Sequence, residues 1–153
     1  MRHLQRLISC TKAKVIFISE TKSNKFSVHD LIHNFNIYDS FIVPTNGISG
    51  GLWLLWTEDV QVAVIKFSFN YILAKVSFDQ GYVIKLACVY GDPYHVNTSN
   101  IWTKVAAFAS NDDNPLFCMG DFNEMMHAYE KHGIRNPNFN CISFFKILLI
   151  IVV

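Results

Sequence analysis

The sequence predicts an α/β fold: a layered sandwich of mostly antiparallel strands with helices between them. Three observations predict it. First, short apolar runs rich in Val, Ile and aromatic residues recur along the chain and are bounded by Gly, Pro, Asn and Asp. Second, two of these runs flank Asp79-Gln80-Gly81, a hairpin turn signal. Third, hydrophobic content is 51% over 153 residues, which suits one compact domain burying roughly 70% of its unfolded surface.

In chain order, residues 2–11 have the spacing of an amphipathic helix. KVIFIS (Lys14–Ser19) reads as a buried strand ending in Glu20-Thr21-Lys22. Ser27, with Asp30 three later, marks a short helix through His33. Phe41–Val43 reads as a strand stopped by Pro44. After Gly50-Gly51 come LWLLW and VQVAVIKF (Val60–Phe67), with Val60, Val62 and Val64 on one face. YILAKVSF and YVIKLACVY form the hairpin, and Gly91-Asp92-Pro93 closes that sheet. Thr98 is placed to cap a helix carrying Ile101, Trp102, Val105 and Phe108. PLFCMG is the last clear strand, and FFKILLIIVV (Phe144–Val153) is too short to span a bilayer.

Composition removes several classes. Thirteen Phe and 14% aromatics exclude a disordered chain. A net charge of +1 gives no whole-protein argument for nucleic acid, so any phosphate contact must be local. Cys10, Cys88, Cys118 and Cys141 form no CxxC pair and read as small buried thiols of a reducing compartment rather than a zinc site. His29 and His33 have helical metal-pair spacing but no third ligand beside them, and read as exposed helix histidines. Asn97-Thr98-Ser99 matches a glycosylation sequon with no signal peptide before it, and counts as chance.

Three strands end in polar groups: Glu20 and Lys22 in ISETK, Tyr90 and Asp92 in CVYGDP, and Asp121, Asn123 and Glu124 in GDFNE. Strand ends are where α/β sheets collect ligands. Alternation along a strand would set Asp121 and Asn123 on one face and Phe122 on the other; an Asx-type turn is the plainer alternative. A carboxylate, a phenol and an Asp–Asn pair suit metal-assisted phosphate chemistry. A hard cation takes carboxylate oxygens, and Tyr and Asn can donate to phosphoryl oxygens as charge develops.

The order ISETK, GGLWLLW, CVYGDP, GDFNE, EKHG resembles the endonuclease/exonuclease/phosphatase family, and within it the apurinic-type endonuclease domain of plant LINE (non-LTR) retrotransposons. The resemblance implies a partial four-layer α/β sandwich over residues 1–140, with 141–153 a divergent apolar tail. It implies that Glu20 binds the catalytic metal (Mg²⁺, with Mn²⁺ as substitute), with Lys22 as its electrostatic neighbour. It implies that Tyr90 contacts the scissile phosphate, that Asp121 handles the nucleophilic water and that Asn123 helps position both. The implied reaction is Mg²⁺-dependent nicking of DNA. The family's opening Asn strand and its closing Asp and Ser-Asp-His motifs have no match here, so the expectation is a truncated copy with impaired catalysis and weak or lost DNA binding. The alternative is an inactive remnant that binds metal, nucleic acid or a protein. No protein partner and no membrane contact are implied, and the family's work on chromosomal DNA suggests an intracellular, nuclear setting.

Overall fold

The computed structural model describes residues 10–21, 37–46, 49–125, 127 and 129. Among the described residues, seven strands form two sheets: β1 (Val15–Ser19), β2 (Asp39–Asn46), β3 (Ser49–Trp56), β4 (Val60–Phe67), β5 (Tyr71–Phe78), β6 (Val83–Tyr90) and β7 (Leu116–Asp121). One helix, α1 (Thr98–Ala109), joins β6 to β7. The first sheet has the order β1-β3-β2 and the second β4-β5-β6-β7. This is the α/β sandwich the sequence predicts. The helix expected over 2–11 is described only at Cys10 and Thr11, which are helical. The helix expected from Ser27, with His29 and His33, lies outside the described residues, as do Lys22, EKHG, Cys141 and the apolar tail.

The two sheets pack because their strands carry apolar groups at period two. Leu52, Leu54 and Trp56 of β3 meet Ile72, Ala74, Val76, Leu86 and Cys88 of β5 and β6 in a buried core between the sheets, with Val60, Val62 and Val64 on the same side. The opposite faces are apolar as well. Trp53 and Leu55 pack with Ile37 behind the first sheet. Tyr71, Leu73, Ala87 and Val89 take the Ile101, Trp102, Val105 and Phe108 stripe of α1 behind the second. LWLLW is apolar at every position because β3 is central and buried on both faces.

Three expectations are corrected. The strand at Phe41–Val43 does not stop at Pro44 but continues to Asn46. Among the described strands β2 lies at the edge, paired to β3 alone, so the missing proline N–H can face outward without breaking a ladder bond. Thr98 does not cap α1. Asn97 holds the cap position without a side-chain cap, and the Thr98 hydroxyl donates to Glu124 Oε1 at 3.0 Å. The second sheet is not closed at Gly91-Asp92-Pro93. α1 is a crossover that returns the chain as β7, parallel to β6, with Tyr90 in register with Asp121.

A buried ion cluster fastens the far end of α1. Lys85 on β6 is 1% exposed. Its ammonium donates to the Ala109 carbonyl and, at 2.5 Å, to the Asp112 carbonyl, and lies 3.2 Å from Asp112 Oδ1. Lys75 reaches Asp112 Oδ2 at 2.7 Å. The cysteines match the expected thiols only in part. Cys88 is buried and Cys118 half-buried on opposite faces of the second sheet, but Cys10 is exposed. No described helix is long and apolar enough to cross a membrane.

Candidate active site

The ends of β1, β6 and β7 bring the expected groups together. Glu20 follows β1 in a left-handed conformation (φ 52°), Tyr90 ends β6 and Asp121 ends β7. The Tyr90 hydroxyl donates to Glu20 Oε1 at 2.5 Å. This hydrogen bond is the main reason the Tyr90 pKa rises to about 12; burial and the charges of Glu20 and Asp121 add to it, with Tyr94 contributing last. The phenol is therefore held as a donor across the neutral range. Asp121 is exposed, so its carboxylate opens to solvent beside Tyr90.

Asn123 does not share a strand face with Asp121. β7 ends at Asp121, and Asn123 sits at φ 50° with its N–H donating to Asp121 Oδ1 at 3.1 Å. The contact is the Asx-type turn. The same turn aims the Asn123 amide across to the Gly91 carbonyl, 2.9 Å from Nδ2. Phe122 points the other way, edge-on to Trp102 with centroids 5.4 Å apart.

Several supports were not singled out in the sequence. Asn70 clamps the backbone of Tyr90 from both sides: Tyr90 N–H donates to Asn70 O at 2.7 Å, and Asn70 Nδ2 donates to Tyr90 O at 3.0 Å. The only local signal was an Asn in a turn. Gly91 is buried, and its N–H donates to Asp121 O at 2.8 Å; a Cβ there would run into the Phe122 carbonyl. Beside Glu20, Thr21 N–H donates to Gly51 O at 3.3 Å, and a Cβ on Gly51 (φ +90°) would strike the Thr21 hydroxyl.

Two carboxylates at these strand ends turn inward. Burial pushes the Asp92 carboxyl up, but the amides of Asn97, Tyr94 and Val96, with His95, outweigh it and hold it below its ordinary value. Its oxygens accept from Tyr94 N–H at 2.9 Å and Asn97 N–H at 2.7 Å. The Glu124 side chain is 1% exposed, with Oε1 3.5 Å from His95 Nδ1. Asp92 and Glu124 thus shape the loop, while Glu20 and Asp121 face solvent. Lys22 lies outside the described residues.

A family model described as "Endonuclease/Exonuclease/phosphatase family" matches residues 1–145. No curated protein matches the chain. Among solved structures, a truncated TDP2 from Caenorhabditis elegans is similar at 16% identity, over 90% of this chain and 58% of that one, with a TM-score of 0.59. The 3′ phosphatase NExo from Neisseria, bound to a product DNA hairpin, is similar at 12% identity, over 98% of this chain and 65% of that one, with a TM-score of 0.62. The chain therefore spans less than two thirds of either structure, and at these identities the likeness is one of fold.

Proposed function

Because the chain belongs to the endonuclease/exonuclease/phosphatase family, we propose that its strand-end cluster is a site for Mg²⁺-assisted hydrolysis of phosphodiester bonds in DNA. The observation that carries the reading is the Tyr90–Glu20 hydrogen bond, with Asp121 in register beside Tyr90. The family is in general dependent on divalent metal. The donor chemistry fits a hard cation: Glu20 and Asp121 offer exposed carboxylate oxygens. No group of three or more His, Cys, Asp or Glu that could hold a metal ion occurs among the described residues.

In this reading Glu20 holds Mg²⁺ (Mn²⁺ as substitute), with Lys22 beside it in the motif. The bound ion would supply charge stabilisation at the phosphoryl oxygens. With phosphate bound, Tyr90 would turn its single O–H from Glu20 to a non-bridging phosphoryl oxygen, leaving Glu20 Oε1 to the ion. Asp121 orients and deprotonates the attacking water. Asn123, fixed by Gly91, holds its amide toward the same phosphate. DNA as the substrate class draws support from the NExo structure, which is bound to a DNA product. The motif set GGLWLLW, YGDP, GDFNE and EKHG supports descent from a plant LINE-type element.

These 153 residues contain no Ser-Asp-His triplet. Groups that act as a unit lose several orders of magnitude in rate when one is missing. The isolated chain is therefore expected to bind better than it cuts, a metal- and DNA-binding module with nicking near background. The test combines Mg²⁺-dependent thermal stabilisation with supercoiled-plasmid nicking. The reading expects Mg²⁺ to raise the melting temperature of the wild type but not of Glu20→Gln. Strong nicking lost in Asp121→Ala would establish the chemistry and overturn the expected weakness. No Mg²⁺ response together with no nicking would sink the reading.

A further inference from the structure

The loop between β6 and α1 is built with its polarity reversed. Pro93, Tyr94 and Val96 are exposed, Tyr94 at 84% and Val96 at 88%, while His95 between them turns inward. Beneath it lies the almost fully buried Glu124, and the Glu124 oxygen Oε2 has no hydrogen-bond partner. Exposed apolar groups over a buried, incompletely paired carboxylate are the informative departure from ordinary burial. The loop is also fixed. Asp92 binds the amides of Tyr94 and Asn97, His95 N–H donates to the Asp92 carbonyl at 3.0 Å, and His95 sits at φ 58°. Thr98 and His95 both reach Glu124 Oε1, tying the loop to the residue that follows Asn123. A non-glycine residue held in the left-handed region, and anchored this firmly, points to a function for the conformation.

We propose that Tyr94 and Val96 form a rigid apolar wedge that packs against an unstacked base of duplex DNA beside the scissile phosphate. The proposal rests on the reading of the neighbouring cluster as a DNA-hydrolysing site. Tyr94 follows Tyr90 by four residues on the same loop and is anchored there by Asp92 Oδ1, which places the wedge beside the cluster. A tyrosine with two side-chain torsions on a fixed loop presents a large flat surface at small entropic cost. Apolar wedges of this kind enter base steps and unstack them, and aromatic stacking is sequence-tolerant because every base has a π face. A wedge also suits a chain whose thirteen Lys and Arg are nearly balanced by twelve Asp and Glu, so that phosphate attraction alone is modest.

The test is duplex binding in EDTA, read by anisotropy and by the fluorescence of 2-aminopurine in the duplex. EDTA removes the metal, so the result does not depend on hydrolysis, and failure of the proposed chemistry shows separately in the Mg²⁺ and nicking measurements. The wild type should bind with a rise in 2-aminopurine fluorescence. Tyr94→Ala should weaken binding by about tenfold and abolish the rise. Tyr94→Phe should retain both, and Val96→Ser should reduce both. Since Tyr94 and Val96 are solvent-exposed, the variants should melt as the wild type does. Unchanged affinity in Tyr94→Ala, binding without a fluorescence rise, or no wild-type binding at about 100 μM, the weak end of non-specific affinity, would each overturn the proposal.

Discussion

Tyr90 is held at both ends, by Asn70 on its backbone and by Glu20 on its hydroxyl. Its pKa of about 12 makes a direct prediction. In Glu20→Gln the carboxylate charge is gone, and the Tyr90 phenol should titrate lower, toward the ordinary value near 10. Phenolate absorbance compared with Tyr90→Phe isolates that one group. A midpoint unmoved by Glu20→Gln would show that the bond does not set it. The sign for stability follows. The folded pKa lies above the unfolded one, so the contribution is complete below about pH 10 and is lost as pH rises toward 12. At this scale the sequence was partly legible. Glu20, Tyr90 and Asp121 could be placed at strand ends from the pattern, whereas Asn123 lies beyond its strand, in the turn. Asp92 and Glu124 stood at the same kind of position, yet they turn inward. What sends them there is non-local: the loop dihedral at His95, the amides of residues 94 to 97, and a helix that brings Thr98 over Glu124.

Among the elements, strands were legible wherever apolar residues ran at period two, and the hairpin at Asp79-Gln80-Gly81 carried its own turn chemistry. The run of β2 through Pro44 was not legible, because an edge position is a property of the sheet. Nor was the parallel return of β7, which depends on how α1 docks. That docking can be tested at its two ends. At the site end, Gly91→Ala would set a methyl against the Phe122 carbonyl. The expected cost is about 1–3 kcal/mol in urea unfolding, with the Tyr90 titration shifted although Gly91 has no side chain to offer a substrate. Wild-type stability would show that the two loops separate freely. At the far end, Lys85→Ala would leave the carbonyls of Ala109 and Asp112 without their donor, at about 3 kcal/mol. Asp112 is held well below the usual carboxylate range, by Lys75 first, then by the Asn114 amide and Lys85 against the opposing effect of burial. Its contribution is present above the unfolded carboxylate value of about 3.9 and is lost as pH falls through the lower folded one. Asp112→Asn should therefore destabilise at pH 7, and the gap to wild type should narrow below about pH 4. A gap that stays constant down to about pH 2 would remove Asp112 from the account.

For the molecule as a whole, the sandwich was legible because β3, β5 and β6 are apolar on both faces, and only sheets covered on both sides accept that pattern. Charge was legible only as a sum. Thirteen Lys and Arg against twelve Asp and Glu leave +1, but the structure shows that several cations already have partners. Lys75 and Lys85 serve Asp112, and Lys14 lies 3.8 Å from Asp59. Among the described residues this leaves Lys12, Lys66 and Lys104 to displace counterions from DNA. The dependence of binding on salt should therefore be shallow. With about two or three phosphates neutralised, log K should fall with log salt at a slope near −2 to −3, roughly a thirtyfold loss between 50 and 200 mM. Anisotropy titrations of a labelled duplex across that range give the slope directly. A slope near −8 would mean a broad basic contact surface, and the grip would then be electrostatic rather than shared with uncharged groups such as Tyr94. A shallow slope whose intercept drops in Tyr94→Ala, with the slope itself unchanged, would place the binding energy in stacking, because removing an uncharged side chain releases no counterion.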